Sequence, residues 1–474
     1  MGSPINSSGV HPTRCINSWR VRYIDLSRQP ETAEVRIPYA EGNQLKDILF
    51  DTAEERIVFG LVGGAKLRVS HALLINSLII VPAERCSLTV HGLGWPASIT
   101  AAAIERAESE GLGIVVMHSH GASSTRLSMT DVKSGTQLCE AFRTALPKRP
   151  HGTVVLSETG SIGGLAWLPG RELPLQVTGV RWMSNPLVRL PALKVGDASN
   201  LMYSRQKILI GEEGQRLLGG ATVGIVGLGG GGSHVVQQLT LLGLGRLILV
   251  DHDTIDETNR HRLVGARPED VDLRLKKTEI LRRLMKESNP TVEVTVCTER
   301  FPSPASIDVL KECDVVVGCV DTLTTRKELQ TFAWRYLIPY IDIGLTIQLS
   351  GAPPGGAGRA KSISGQVYDL IPGAACLWCA QYLTQSRLEE EWGGKGPTYI
   401  METQEQSQVV SFNGSLASQA VTDVLYMLTG YAVRKNVSNA LQFDGISGAI
   451  SPVILERKIG CHECLELGRG DSIW

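Results

Sequence analysis

Residues 221–251 read ATVGIVGLGGGGSHVVQQLTLLGLGRLILVD. An apolar, β-branched run closes on a glycine cluster, a helical stretch follows, and a second apolar run ends in an acid, which is the order strand, glycine loop, helix, strand. Gly227, Gly229, Gly230 and Gly232 fall between the first strand and the helix. Backbone amides and the positive end of the helix then face whatever anion sits there, and phosphate is the natural guest. Asp251, closing the second strand, is placed to accept hydrogen bonds from ribose hydroxyls. Alone, these features also describe an NAD site, but no group downstream marks a nicotinamide pocket or a hydride-transfer acid.

Working outward, further βα units run through CDVVVGCVD (313–321) and PYIDIG (339–344), which predicts a doubly wound parallel sheet of Rossmann-like type. Upstream, strand-like runs such as RIVFGLVGG (56–64), GIVVMHSH (113–120) and HGTVVLS (151–157) surround one helical stretch, PASITAAAIERAESEG (96–111), and read as a separate compact α/β domain. Prolines then recur and periodicity fails, so residues 1–190 are expected to form one domain and 191–474 another. The stretches GAPPGGAGRAKSIS (351–364) and SRLEEEWGGKGP (386–397) read as surface loops.

The chain has 474 residues, 43% hydrophobic and 20% charged, with a formal net charge of -1. That supplies cores for two or three soluble domains and no reason to expect nucleic acid or an anionic membrane as partner. The opening MGSPINSSGVHPTRCINSWR has no apolar signal core and no apolar run is long enough to span a bilayer, so a cytoplasmic location is expected. Ten cysteines are too sparse for a disulfide scaffold. Four fall in two CxxC pairs, and Cys376, Cys379, Cys461 and Cys464 can close an all-thiolate, structural zinc site. His462, inside the second pair, reads as a bystander.

Residues 117–131, MHSHGASSTRLSMTD, hold a second constellation. His118 and His120, one residue apart on a strand, point to one side. With Asp131 they form the two-imidazole, one-carboxylate set that catalytic zinc uses, with a fourth position open. This His-x-His followed by Ser-x-x-Asp resembles the JAMM (MPN) metallopeptidases over about residues 30–185, with Gly121 where that family usually has proline. The resemblance implies that His118, His120 and Asp131 hold catalytic zinc and that Ser128 donates a hydrogen bond to the tetrahedral intermediate. It also implies a general base among the acids of DTAEERIVFGLVGG (51–64), Glu55 in preference to Glu54, and cleavage after the C-terminal glycine of a ubiquitin-like protein.

After Asp251 come TNRHRLVG (258–265), LRLKKTEILRRLMKESNP (273–290) and VVVGCVDTLTTR (315–326), with YSRQ (203–206) upstream and SGQV (364–367) before the first CxxC. The set resembles the ThiF superfamily of adenylating enzymes over nearly all of residues 200–474. The resemblance implies that the glycine loop, Asp251 and Asp253 bind ATP, that Asn259, Arg262, Lys277 and Arg205 surround the triphosphate, and that Asp321 coordinates magnesium. Lys276 is an alternative to Lys277. The chemistry agrees: a carboxylate attacking an α-phosphate builds charge on pyrophosphate, which cations and a metal must neutralise. Members that transthiolate carry a cysteine in the loop after the first CxxC, and residues 380–414 contain none. The other cysteines read as core thiols, so the acyl-adenylate is expected to pass to another protein's nucleophile.

The combined expectation is a peptidase that exposes, and an adenylation domain that activates, the C-terminal glycine of one ubiquitin-like protein in a bacterial conjugation system with a separate conjugating enzyme. Sulfur-carrier activation towards a thiocarboxylate, and a non-catalytic scaffold for such a protein, are the alternatives. By the same resemblance the chain is expected to form a homodimer, Arg205 reaching into the neighbour's site.

Overall fold

The computed structural model describes residues 31–50, 56–89, 92–120, 127–190, 200–351, 358–393, 407–433 and 439–471. Its N-terminal half is built from strands β1 (Thr32–Ile37), β2 (Ile57–Lys66), β3 (Ser70–Ile80), β6 (Gly113–Ser119), β7 (His151–Leu156), β8 (Ile162–Trp167), β9 (Leu175–Trp182) and β10 (Val188–Leu190), with a small hairpin, β4 (Ser87–Thr89) and β5 (Gly92–Gly94), aside. The sheet order is β1-β3-β2-β6-β7-β8-β9-β10, and β9 also pairs with β1. The first seven strands in that order therefore close into a ring, which leaves few edges exposed. Leu45 and Leu49 of the helix Tyr39–Phe50 fill one side of this sheet. Ala103 and Ala107 of the helix Ala97–Glu110 pack with Phe142 on the other.

The second sheet has the order β13-β12-β11-β14-β15-β16-β17-β18. β11 (Thr222–Val226), β12 (Arg246–Val250), β13 (Glu293–Cys297), β14 (Val315–Gly318) and β15 (Tyr340–Ser350) are parallel. β16 (Arg359–Leu370), β17 (Ala440–Asp444) and β18 (Ala449–Val453) add antiparallel, so the sheet is mixed rather than parallel throughout. The reason is the link from β15 to β16, residues 351–358, which is too short for the crossover that parallel pairing demands. The loop expected at 351–364 thus ends by Arg359, where β16 starts. The loop expected at 386–397 opens instead as a helix, Gln385–Trp392, capped by Thr384; its polarity is that of an exposed face opposite the buried Leu388.

The boundary expected at 190/191 borders residues outside the described set, and Glu31 onwards forms one compact unit. Ala65, Leu74 and Met183 of the first half share a core with Leu310, Tyr336 and Tyr340 of the second. Arg36, fully buried, donates to the carbonyls of Tyr336 (2.9 Å) and Lys311 (3.0 Å) and to Glu34 (2.8 Å). Arg181 donates to the Cys313 carbonyl (2.9 Å) and pairs with Asp314 at 3.0 Å, while Arg189 reaches the same Asp314 oxygen at 2.6 Å. Residues 467–471 run back across β2 and β3: Asn76 donates to the Leu467 carbonyl (2.6 Å), and Asp471 accepts from the Lys66 amide (2.9 Å). Asp314 and Thr222 lie where β14 and β11 begin, so the barrel is joined at the end of the parallel sheet opposite the glycine loop.

Candidate functional site

β11 ends at Val226 and the chain turns through Gly227 at φ +86°, a conformation that suits glycine; a Cβ there would also stand 2.6 Å from the Cys319 carbonyl. The helix Gly230–Leu241 starts at once, and no side chain of the described residues caps it. Its first amides point outward without a partner from their own helix. A Cβ on Gly229 would meet no described atom within 4 Å, whereas one on Gly232 would strike the Gly227 carbonyl at 2.0 Å. Gly232 is thus glycine for packing and Gly229 opens to space, the form of a cradle for a phosphate.

Asp251 is nearly buried at the end of β12, and both of its carboxylate oxygens are engaged: one accepts from the Leu228 amide (2.6 Å), the other from the Asp253 amide (2.8 Å). Before any ribose arrives, it staples the glycine loop to the next turn. Lys277, 8% exposed at the start of the helix Lys277–Ser288, donates Nζ to Asp253 at 2.7 Å. Burial raises the Asp253 pKa, but the hydrogen bond and charge of Lys277 outweigh it and hold the carboxyl below its ordinary value. The neighbouring Lys276 donates its Nζ to the His252 carbonyl at 2.5 Å. Asn259 lies in the short helix Glu257–Arg260, and Arg262 just beyond it donates to the Thr258 carbonyl (2.7 Å). Asp321 is exposed just past β14. Those groups gather at the carboxyl ends of β11, β12 and β14. Arg205 does not join them by any hydrogen bond to a described residue; it is exposed in the turn before the helix Lys207–Gly220.

The four cysteines do converge. Cys376 and Cys379 lie 3.5 Å apart at sulfur, Cys376 and Cys461 3.6 Å, and Cys379 and Cys464 3.7 Å. A tetrahedron of thiolates about 2.3 Å from zinc has edges of about 3.8 Å, so the donor set fits that ion. The Lys458 amide donates to the Cys379 sulfur (3.3 Å), a bond that would orient the thiolate towards a bound ion. His462 turns away, its ring stacked edge-on against Trp378.

In the barrel, His118 is the last residue but one of β6, whose alternation sends the final residue, Ser119, the other way, its hydroxyl donating to the Leu49 carbonyl (3.0 Å). The Nε2 atoms of His118 and His120 are 3.1 Å apart, and Asp131 oxygens stand 3.4 Å from the first and 3.1 Å from the second. Three ligand atoms so close on partly exposed side chains fit one cation. Burial raises the Asp131 pKa, but hydrogen bonds from His118 and Ser128 outweigh it and hold the carboxyl well below the usual range. Ser128 caps the helix Met129–Ala145: its hydroxyl accepts from the Asp131 amide (3.1 Å), and Asp131 returns the bond to the Ser128 amide (2.7 Å). Glu54 and Glu55 lie outside the described residues; β2 begins two residues later with Ile57 paired to His118.

Compared with known proteins, residues 203–462 match the model of the ThiF family, more than half of the chain. The chain belongs to the ThiF family. The sulfur carrier protein ThiS adenylyltransferase of Escherichia coli is 27% identical over 57% of this chain and 97% of its own length. The molybdopterin-synthase adenylyltransferase of the same organism is 25% identical over 57% and 98%. The adenylyltransferase and sulfurtransferase MOCS3 of Dictyostelium discoideum is 35% identical over 55% of this chain, which spans only 56% of that protein. Among solved structures, that of E. coli MccB with MccA-N7isoASN has a TM-score of 0.47 at 22% identity, covering 57% of this chain and 76% of that one.

Within the ThiF half the structure adds residues that sequence reasoning missed. Arg326 and Asp342 form a buried ion pair, and Arg326 also donates to the Val320 carbonyl (2.6 Å) beside Asp321. Glu391, from the helix misread as loop, accepts from the amides of Leu323 (2.7 Å) and Thr324 (2.8 Å), capping the helix that follows Asp321. Asn413, from the helix Val410–Thr429, sits against Gly230. Asp342 and Asn413, each polar within an apolar run, carried a faint signal; Arg326 and Glu391 carried none.

Proposed function

We propose that the ThiF-family half adenylates the C-terminal glycine of a sulfur-carrier or ubiquitin-like protein. The observation that carries this reading is the uncapped helix at Gly229–Gly232, opening to space between Asp251, Lys277 and Arg262. The carrier's carboxylate attacks the α-phosphate of ATP and pyrophosphate leaves, the new bond being the acyl phosphate. Lys277 and Arg262 stand ready to balance the charge that moves onto pyrophosphate. Asp321 would hold the magnesium ion, which supplies further neutralisation of that charge. The name of one bacterial relative, a sulfur carrier protein adenylyltransferase, and that of the Dictyostelium adenylyltransferase and sulfurtransferase favour sulfur carriers as the substrate class, with the adenylate passed on to sulfur transfer; residues 380–414 offer no cysteine for a thioester.

A second activity rests on the barrel: a zinc peptidase that frees the same glycine from an extended precursor. His118, His120 and Asp131 support it as a convergent three-ligand set. A zinc ion held there supplies polarisation of the scissile carbonyl and a lowered pKa for its bound water. Ser128 keeps a hydroxyl proton to offer a substrate oxygen, and Glu55, two residues ahead of the strand position paired with His118, is the candidate base.

Dimer formation belongs to the same reading. Leu201, Ile208 and Leu209 flank Arg205 and are 85%, 87% and 62% exposed. A second copy covering them would bring Arg205 towards a neighbouring site.

The test is pyrophosphate exchange into ATP with a glycine-terminated carrier and with its C-terminally extended precursor, comparing the native chain with His118→Ala. Exchange with the mature form by both chains, and with the precursor only by the native chain, supports both activities. Binding of the carrier without exchange by either chain overturns the adenylation reading in favour of a scaffold.

A further inference from the structure

The helix Val410–Thr429 places Asn413 against the phosphate cradle, far in sequence from the glycine loop. A Cβ on Gly230 would stand 2.4 Å from Asn413 Nδ2 and 3.4 Å from Arg262 Cδ, so amide and arginine stem converge on the first residue of the helix. Asn413 is 7% exposed. It is held in place, Nδ2 donating to Gln408 Oε1 at 3.2 Å, and Gln408 is in turn fixed by its carbonyl, 3.3 Å from the Nε2 of His261, the neighbour of Arg262. Gln408 therefore grips both sides of the cradle, the side chain holding Asn413 and the backbone holding the His261–Arg262 turn. An amide nitrogen carries two protons, and Gln408 uses one.

We infer that Asn413 is a nucleotide-positioning residue of the adenylation site, its second amide proton directed at the triphosphate and its bulk setting Gly230 and Arg262 in place, with Gln408 as the tether that orients it. This goes beyond the adenylation reading and rests on it. It explains why Gly230 bears no side chain: the space is filled from outside by a group that donates hydrogen bonds where a methyl would not.

Binding of Mg-ATP to the full chain, measured by calorimetry without any carrier, separates the two claims. Asn413→Ala is expected to weaken Mg-ATP binding by about tenfold, the value of one hydrogen bond to a charged group. Asn413→Asp keeps the shape but puts a carboxylate beside the phosphates, and is expected to weaken binding further, in a manner relieved by added salt. Gln408→Ala combined with Asn413→Ala is expected to be no worse than Asn413→Ala alone, since the tether acts through Asn413. Thermal melting of each variant without ligand reports a purely structural role. If Asn413→Ala binds Mg-ATP within twofold of the native chain, or if Asn413→Asp is no weaker than Asn413→Ala at equal melting temperature, the inference fails. A native chain that binds no Mg-ATP overturns the adenylation reading instead.

Discussion

Nζ of Lys277 lies 2.7 Å from Oδ2 of Asp253, the one nearly buried and the other half exposed. The pair holds the ammonium beside Asp253, and in the proposed adenylation site that cation would face the triphosphate. Lys277→Ala is expected to lower pyrophosphate exchange on the order of 10²–10³-fold, as loss of one preorganised charge at a developing anion does. Because Asp253 still reaches water, the melting temperature should move little. Lys276→Ala, which removes the more exposed amine held at the His252 carbonyl, should retain most of the exchange; equal losses in the two variants would reverse the assignment.

Cys461→Ser removes one of four converging thiols. Zinc content by atomic spectroscopy is expected to fall by one ion per chain, and stability with it, because binding energy at a closed site is folding energy. The loss should travel. Residues 467–471 lead directly from this site onto β2, so hydrogen exchange at Gly64 and Lys66 should quicken as well.

Asp131→Asn keeps a side-chain acceptor for the helix cap but gives up the anionic ligand. If the histidine pair holds zinc as proposed, the expected result is a metal content lower by that ion, no cleavage of an extended carrier, and unchanged exchange with the mature one. Any stability loss should stay near the ~1 kcal/mol of an impaired cap. Exchange lost along with cleavage would mean that the two sites do not work independently.

At the seam, burial raises the pKa of Glu34, but the guanidiniums of Arg181 and Arg36 outweigh it and bring the carboxyl down to about 2 from an ordinary 4.5. A depressed carboxylate stabilises the fold above its unfolded pKa, so its contribution is full above about pH 4.5 and drains away as the pH falls towards 2. The difference corresponds to about 3 kcal/mol. Urea titrations at pH 7 and pH 3 should show that Glu34→Gln costs stability at the higher pH and much less at the lower. A cost independent of pH would place the ion pair outside the seam's energetics.

The glycine loop was legible because its meaning is local: strand, turn and helix sit within thirty residues, and Gly227 to Gly232 stand where that pattern puts them. The cysteine pairs and His118, His120 and Asp131 were legible for a related reason, since spacing alone carries ligand chemistry. Asn413, Gln408 and the Arg326–Asp342 pair were not, because each acquires its role from a partner that only the folded chain brings near. Residues 385–392 misled by composition: LEEEW is polar enough for a loop, yet Leu388 anchors it and Glu391 caps another helix. The seam was the least visible feature of all, for nothing in the spacing of Arg36 or Arg181 points to carbonyls 300, 275 and 132 residues away.

Those distances have a meaning in time. A ribosome adding about 5–20 residues per second completes residue 190 on the order of 15–60 seconds before residue 471. For about the first half of that interval the carbonyls of Lys311, Cys313 and Tyr336 have yet to be made, and the strap of residues 467–471 arrives only at its end. Arg36 and Arg181 wait with unspent donors, and β2 and β3 wait uncovered. A message cut short before residue 311 would therefore leave Arg36 and Arg181 without the carbonyls that accept from them in the finished fold.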